Sequence, residues 1–506
     1  MAPQRNRQNV LMNDQHRLSE QLQLLSHFKY SDLDMPYAGV GEHSNKATRN
    51  PDTNTMIRIL DTIAVALTTG LAGDVYAAAF DTSRGLKLVL AKNVPPSAND
   101  DGAVRALFSQ ITAPQAPAVG DLLPFLFTRC GANIRKRVAK MGDTLNNFSS
   151  GIEEALKEYE SLPSIDEEFP SSTDYRDLLY GDGAVTFAEM IRDLLKAIKD
   201  TVTRFDSQDL YTTSGVHRFF STFVLMVIVL KKSRLLRWLC QSDEVIYRHR
   251  KLQAEQLKRR LAKVSQYSEG IADVITYTRR YFPQGIAYCW VDPIHGTGEA
   301  TVKLVGGYAM AIERALGVPP MRDTLATLHD SFPEIRVEWG TSRSITTRLH
   351  AEIHILLHLS KSFDDNLDNS QQRPIGCSKR SCLCCTLWIW AYNKRYGTNW
   401  LTSGSHGKPY SAWALPGCTY AHAWVKGGQS EVDVTVMDGV QERLTQTITK
   451  LFPNQRRLSD EHRSSGSELG GSDSEEERTT HRRDLVRDVR QEWDEFSRTF
   501  GITRRL

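Results

Sequence analysis

Residues 347–360 read TRLHAEIHILLHLS, and residues 374–396 read PIGCSKRSCLCCTLWIWAYNKRY. The first stretch is an apolar run opened by His350-Ala351-Glu352; the second is a short β-prone segment followed by Cys382-Leu383-Cys384-Cys385 and a helical pattern. Their spacing predicts a helix over 347–360, a short buried strand over 374–378 and a second helix over about 382–396. Further strands are expected at Ile286–Val291, Ile335–Trp339, Asn399–Ser403, Tyr410–Leu415 and Val432–Val436, with helices over Val302–Leu316 and Val440–Leu451. Strands and helices in this order imply a layered α/β domain over 283–452.

Upstream, residues 51–282 carry long helical patterns and read as a mainly α-helical domain, with one hairpin formed by Val75–Phe80 and Leu86–Ala91. Residues 1–50 read as a flexible arm containing one docking helix, because Leu18, Leu22, Leu25 and Phe28 recur at helical spacing. Residues 453–483 are rich in Ser, Gly and acids and are expected to be disordered. A last helix is expected over 484–506; its apolar face of Leu485, Val489, Trp493, Phe496 and Phe500 would dock back or take a protein partner.

The two opening motifs carry chemistry together. A catalytic zinc needs three protein ligands and an open position for water, and His350, Cys382 and Cys385 meet that requirement. The C-x-x-C spacing puts both thiols on the first turn of a helix, where free N–H groups favour thiolate. Glu352, two residues after the histidine, is placed to move protons to and from the zinc-bound water rather than to bind the metal. A metalloprotease reading fails, since H-E-x-x-H sets its glutamate beside the first histidine and this chain does not.

H-x-E followed by C-x-x-C on successive helices of an α/β domain resembles the nucleic acid and nucleotide deaminase superfamily, the cytidine deaminase-like proteins. The chain looks most like the fungal deaminase-like branch, through His350-Ala351-Glu352, Ile375-Gly376-Cys377-Ser378-Lys379, Ser381-Cys382, the loop Ser403-Gly404-Ser405-His406-Gly407-Lys408 and Trp413-Ala414-Leu415-Pro416. The resemblance implies a three-layer α/β/α sandwich with a mixed sheet, a Zn2+ cofactor and hydrolytic removal of an exocyclic amine from cytosine or adenine in nucleic acid or nucleotide. It departs from the wider superfamily at Ser381, where proline usually stands; a serine there can cap the helix.

His406 and Lys379 are the candidates for touching substrate, and Lys379-Arg380, Arg248–Lys251 and Lys258–Arg260 for touching phosphate. Trp388, Trp390 and Trp413 are aromatics that could stack a base, Trp388 being better read as core. His354 and His358 read as packing residues, and Cys384 as a buried apolar one. Two other readings stay open: a structural zinc site with Cys377 or Cys418 as fourth ligand, making the chain an interaction protein, and an inactive deaminase fold.

Composition sets the bounds. The chain has 506 residues, 40% hydrophobic and 24% charged, enough for two or three folded units at roughly 150 residues each. Its 63 basic against 60 acidic residues give a net charge of +3, so any nucleic-acid contact must come from a local patch. The most apolar run, Phe219–Leu230, is short of the about 20 residues that span a membrane, and no secretory signal is visible. A cytoplasmic or nuclear location is expected. Four of the eight cysteines fall between Cys377 and Cys385, a clustering that suggests metal or redox chemistry rather than a disulfide framework.

Overall fold

The computed structural model describes residues 2–32, 51–83, 85–113, 115, 118–162, 165–169, 186–206, 216–241, 248–283, 285–292, 294–304, 307–340, 343–360, 371–418, 425–426 and 429–452. The acidic linker and closing helix expected over 453–506 lie outside them.

A hairpin sits at the centre of the sheet. Strands β1 (Tyr76–Asp81) and β2 (Lys87–Lys92) pair antiparallel, with Ala78 opposite Leu90. Strand β3 (Tyr288–Trp290) adds parallel to β2; after β4 (Thr301–Leu304), β5 (Arg343–Thr346) and β6 (Gln372–Pro374), strand β7 (Gly376–Cys377) adds antiparallel to β1. The order is β3-β2-β1-β7, a mixed sheet. Strands β4 and β5 pair antiparallel, and β6 pairs parallel with β8 (Asn399–Leu401).

Both hairpin strands are apolar on both faces because both faces are covered. Tyr76, Ala78, Leu88 and Leu90 enter one core with helices α2 (Pro51–Leu67), α3 (Ala98–Ile111) and α4 (Val119–Asn147). Ala77, Ala79, Val89 and Ala91 point the other way, into a core with the helix Ala351–Ser360 that follows His350 and the helix Leu383–Tyr396 that follows Cys382. The sheet therefore joins strands from both sides of the boundary expected at 282/283. Sequence spacing could not show this, since β3 and β7 reach the hairpin from far along the chain. The hairpin backs onto a buried network in which Arg129 of α4 donates to Asp100 at 2.6 Å, to the Tyr76 hydroxyl at 2.8 Å and to the Leu67 carbonyl at 2.6 Å.

Within the stretch read as an arm, the docking helix is α1 (Ala2–His27), with Leu18, Leu22, Leu24 and Leu25 fully buried against the second core. Its Gln15 side chain accepts from Leu415 N–H at 2.7 Å and donates to the Trp413 carbonyl at 2.9 Å. Beyond the helix, Asp32 N–H donates to Gly407 O at 3.1 Å, and the Asp32 carboxylate pairs with Arg443 at 2.9 Å. Gly407 has φ +62°, and a Cβ there would stand 1.7 Å from the Asp32 carbonyl oxygen, so only glycine allows this approach. The N-terminal segment thus clamps the 404–417 loop.

Three expected strands are corrected. Ile335–Trp339 lies in a helix (Glu334–Gly340) that buries Ile335 and Trp339 and exposes Val337. Val432–Val436 begins the helix Glu431–Leu451, capped by the Ser430 side chain and burying Val432, Val436, Val440, Leu444 and Ile448 at helical period. Tyr410–Leu415 is irregular, with one isolated bridge between Trp413 and Arg348, two residues past β5. Over 302–316 the expected helix is β4 followed by a shorter helix, Tyr308–Leu316.

The hairpin makes a testable demand. A fragment of residues 283–452 lacks α1, α2, β1 and β2, and so has neither the sheet's centre nor a cover for the second core. It is expected to show no cooperative thermal transition, whereas residues 1–452 should melt cooperatively. Cooperative melting of the shorter fragment would contradict this account of the core.

Candidate metal centre

Two helix starts meet at one point. The helix Ala351–Ser360 is held at its first turn by the hairpin, since Asn93, just after β2, accepts from Ala351 N–H at 2.8 Å. Leu349 N–H donates to Glu299 at 3.0 Å, fixing the residue before His350. The helix Leu383–Tyr396 starts from Cys382, which is itself the cap: its sulfur accepts from Cys385 N–H at 3.4 Å. The capping role expected of Ser381 is therefore filled one residue later, and the Ser381 hydroxyl instead lies 3.3 Å from Thr402 Oγ1.

His350 Nδ1 stands 3.6 Å from Cys382 Sγ and 3.3 Å from Cys385 Sγ. The three ligand atoms lie within 4.8 Å of one another, and among the described residues no fourth His, Cys, Asp or Glu joins the group. One imidazole and two thiolates in this arrangement suit a tetrahedral zinc with one position left open. Cys377 is buried on β7 and Cys418 is half-buried; neither is in the group.

The electrostatics prepare the group for a cation. Burial works to raise the Cys382 pKa, but the Cys385 thiol and the His350 ring outweigh it and hold Cys382 well below the ordinary thiol range. Burial works to lower His350, and the Cys382 charge outweighs it and keeps the ring above its usual value. Cys385 goes the other way, pushed well above its ordinary range by burial and then by Cys382 beside it. In the metal-free site these directions favour proton retention at His350 and Cys385 and proton loss at Cys382. Loading a metal displaces those protons, so affinity falls as pH falls.

Glu352 is 3% exposed, on the first turn of its helix, and burial raises its carboxyl pKa, only partly countered by His350. It stands beside the His350, Cys382 and Cys385 group without joining it. Both cysteines and the glutamate are thus brought to one place from motifs local in sequence.

The other expected residues fall out as follows. His406 is half-buried in the clamped loop; its N–H donates to Ser381 O at 3.1 Å, and its Nδ1 accepts from Lys408 N–H at 3.1 Å. Lys379 is exposed in the turn between β7 and Cys382. His354 is buried, its pKa pushed down to about 4 chiefly by burial, as suits a packing residue. Cys384 and Trp388 are fully buried core. Trp413 cannot stack a substrate base, because it is fully buried with its Nε1–H donating to Cys385 Sγ at 3.2 Å. That bond orients the Cys385 sulfur from outside the three-residue group.

Three contributors were not legible from the sequence: Asn93, which caps a helix across the sheet; Glu299, which holds Leu349; and Tyr410. The Tyr410 ring is 45% exposed and packs edge-on at 6.2 Å from His350 and 5.7 Å from His406. A residue type alone signals none of these long-range contacts.

Residues 349–417 match a family model described as OTT_1508-like deaminase. The matched segment holds His350, Glu352, Cys382, Cys385, His406 and Tyr410, and is a deaminase-like domain of the cytidine deaminase-like superfamily. No curated protein and no solved structure matches the chain. Among the described residues no helix is long and apolar enough to cross a membrane.

Proposed function

We propose that the chain is a zinc-dependent hydrolytic deaminase of a nucleobase, cytosine or adenine, built as a three-layer α/β/α unit with α2 on one side of the sheet and the two site helices on the other. The observation that carries this reading is the three-ligand group His350, Cys382 and Cys385 with the buried, non-ligating Glu352 beside it, inside a deaminase-like segment. Zinc at such a site supplies a Lewis acid and lowers the pKa of water at its open position.

The chain's own residues supply the rest. Glu352 takes one proton from the attacking water and gives it to the ring nitrogen of the base, then takes the second from the hydroxyl now on the ring carbon and gives it to the amine, which leaves as ammonia. Its burial keeps bulk water from competing for that proton and suits a carboxyl that must be charged in one step and neutral in the next. Trp413 and the clamped loop hold Cys385 and the mouth of the site in place.

The rival reading is a scaffold in which zinc is purely structural. X-ray absorption of the purified protein distinguishes them: one zinc per chain with two sulfur ligands, one imidazole and one light non-protein ligand is expected. Four protein ligands would favour the scaffold.

A further inference from the structure

Cations from two distant parts of the chain meet at the mouth of the metal group. On α4, Lys136, Arg137 and Lys140 lie at helical spacing, and Lys263 lies near the end of the helix Arg248–Ser265. From the deaminase-like segment come Lys379 and Arg380, just before Cys382, and Lys408 in the clamped loop. All but Arg137 are exposed.

Helix α2 brings the two sets together. Its Asp61 accepts from Cys377 N–H at 2.6 Å, two residues before Lys379, and Gly376 lies so close that a Cβ would stand 2.1 Å from the Leu60 backbone. Its Thr62 hydroxyl accepts from Gln266 Nε2 at 3.3 Å; Gln266 in turn accepts from Arg137 at 3.0 Å, and Arg137 donates to the Lys263 carbonyl at 2.9 Å. Among the described residues none of the six exposed cations forms an ion pair with a carboxylate. The nearby acids are Asp61, half-buried and turned to Cys377, the buried Glu352, and Asp74, which acts on Lys379 from a distance but is itself paired with Lys92 at 2.9 Å. Lys263 feels the crowding: loss of solvent first, then Arg137, Arg260, Arg380 and Lys140, push its pKa down to about 8. So much unpaired like charge on one surface calls for a polyanion.

We propose that this rim binds the sugar–phosphate backbone of a single-stranded nucleic acid, with the exposed Tyr410 stacking the base presented to the metal group. A free nucleoside has no phosphates for cations spread over two parts of the chain to hold. A duplex would have to unpair and unstack the base to bring it to the buried Glu352 and Cys382, a cost that a single strand does not carry. The inference rests on the proposed deaminase reading only for which part of the strand enters the site.

The test uses the full, zinc-loaded chain and end-labelled mixed-sequence oligonucleotides, single-stranded DNA and RNA and a duplex, followed by fluorescence anisotropy across a salt series. The triple variant Lys136→Glu, Lys140→Glu, Lys263→Glu is expected to weaken single-strand binding roughly tenfold or more and to flatten the salt slope by about 2, three phosphates at about 0.7 each. The same three positions changed to Gln should move both readings in the same direction by less, which guards against a folding defect. Lys157→Glu with Lys196→Glu, exposed on other helices (Ser149–Glu158 and Phe187–Asp206), should leave binding unchanged. Wild-type protein that binds no single strand, triple variants that bind with unchanged slope, or tighter binding of duplex overturns the proposal. Parallel assays on free nucleosides keep the two ideas apart. Charge-dependent strand binding without product on any substrate removes the deaminase reading alone, whereas nucleoside turnover without charge-dependent strand binding removes this inference alone.

Discussion

Replacing Glu352 with Gln is expected to lower turnover by about 10² to 10⁴ while zinc content and thermal stability stay at the wild-type level. The side chain is buried and outside the ligand group, so an amide of the same size fills its place beside Cys385 and leaves His350, Cys382 and Cys385 themselves unchanged. An amide cannot accept a proton from water or pass one to a leaving amine, so the loss falls on the chemical step. Zinc analysis and single-turnover rates on the same preparation check both halves. Loss of zinc in this variant would make the carboxylate a ligand; full activity would remove it from the mechanism.

Cys382→Ser is expected to have the larger structural effect. Cys382 is a proposed ligand, the cap of its own helix and the charge that keeps the His350 pKa up, and a serine oxygen is a poor substitute for thiolate. Metal affinity should fall by more than about 100-fold, the upper range for losing a mere supporting contact. Removing the metal also leaves two helix starts untethered inside the second core, so the melting temperature should drop with it. Cys385→Ser should follow the same course. Retention of one zinc by both variants after dialysis against a chelator would contradict the ligand assignment.

The site was far more legible in the sequence than the frame around it. His350 with Glu352, and Cys382 with Cys385, are neighbours along the chain, so their spacing fixes their relation once each starts a helix. The frame depends on pairings that no local pattern records. The hairpin at 76–92 reads as a small appendage of a helical domain, yet it is the centre of the sheet, because β3 and β7 arrive from positions 288 and 376. Its tell-tale was present: strands apolar on both faces belong inside a sheet, not at an edge.

The misread strands have a common cause. In Val432-Asp433-Val434-Thr435-Val436 a window of five residues alternates like a strand, while the longer run to Ile448 repeats every four residues and packs as a helix. In the segment Ile335–Trp339 the same short alternation hides Ile335 and Trp339 on one helical face. Ser381 was a reasonable cap by residue type, but the bond from Cys385 N–H to Cys382 moves the cap into the metal group itself.

The claim that the His350, Cys382, Cys385 and Glu352 constellation performs hydrolytic deamination is tested most directly by incubating the zinc-loaded wild-type chain in heavy-oxygen water with single-stranded DNA, single-stranded RNA and free nucleosides, and identifying product bases by mass. The account predicts a deaminated cytosine or adenine carrying one heavy oxygen at the former amine position, absent with Glu352→Gln. A fully zinc-loaded wild-type protein that converts no base in any of these substrates would contradict it.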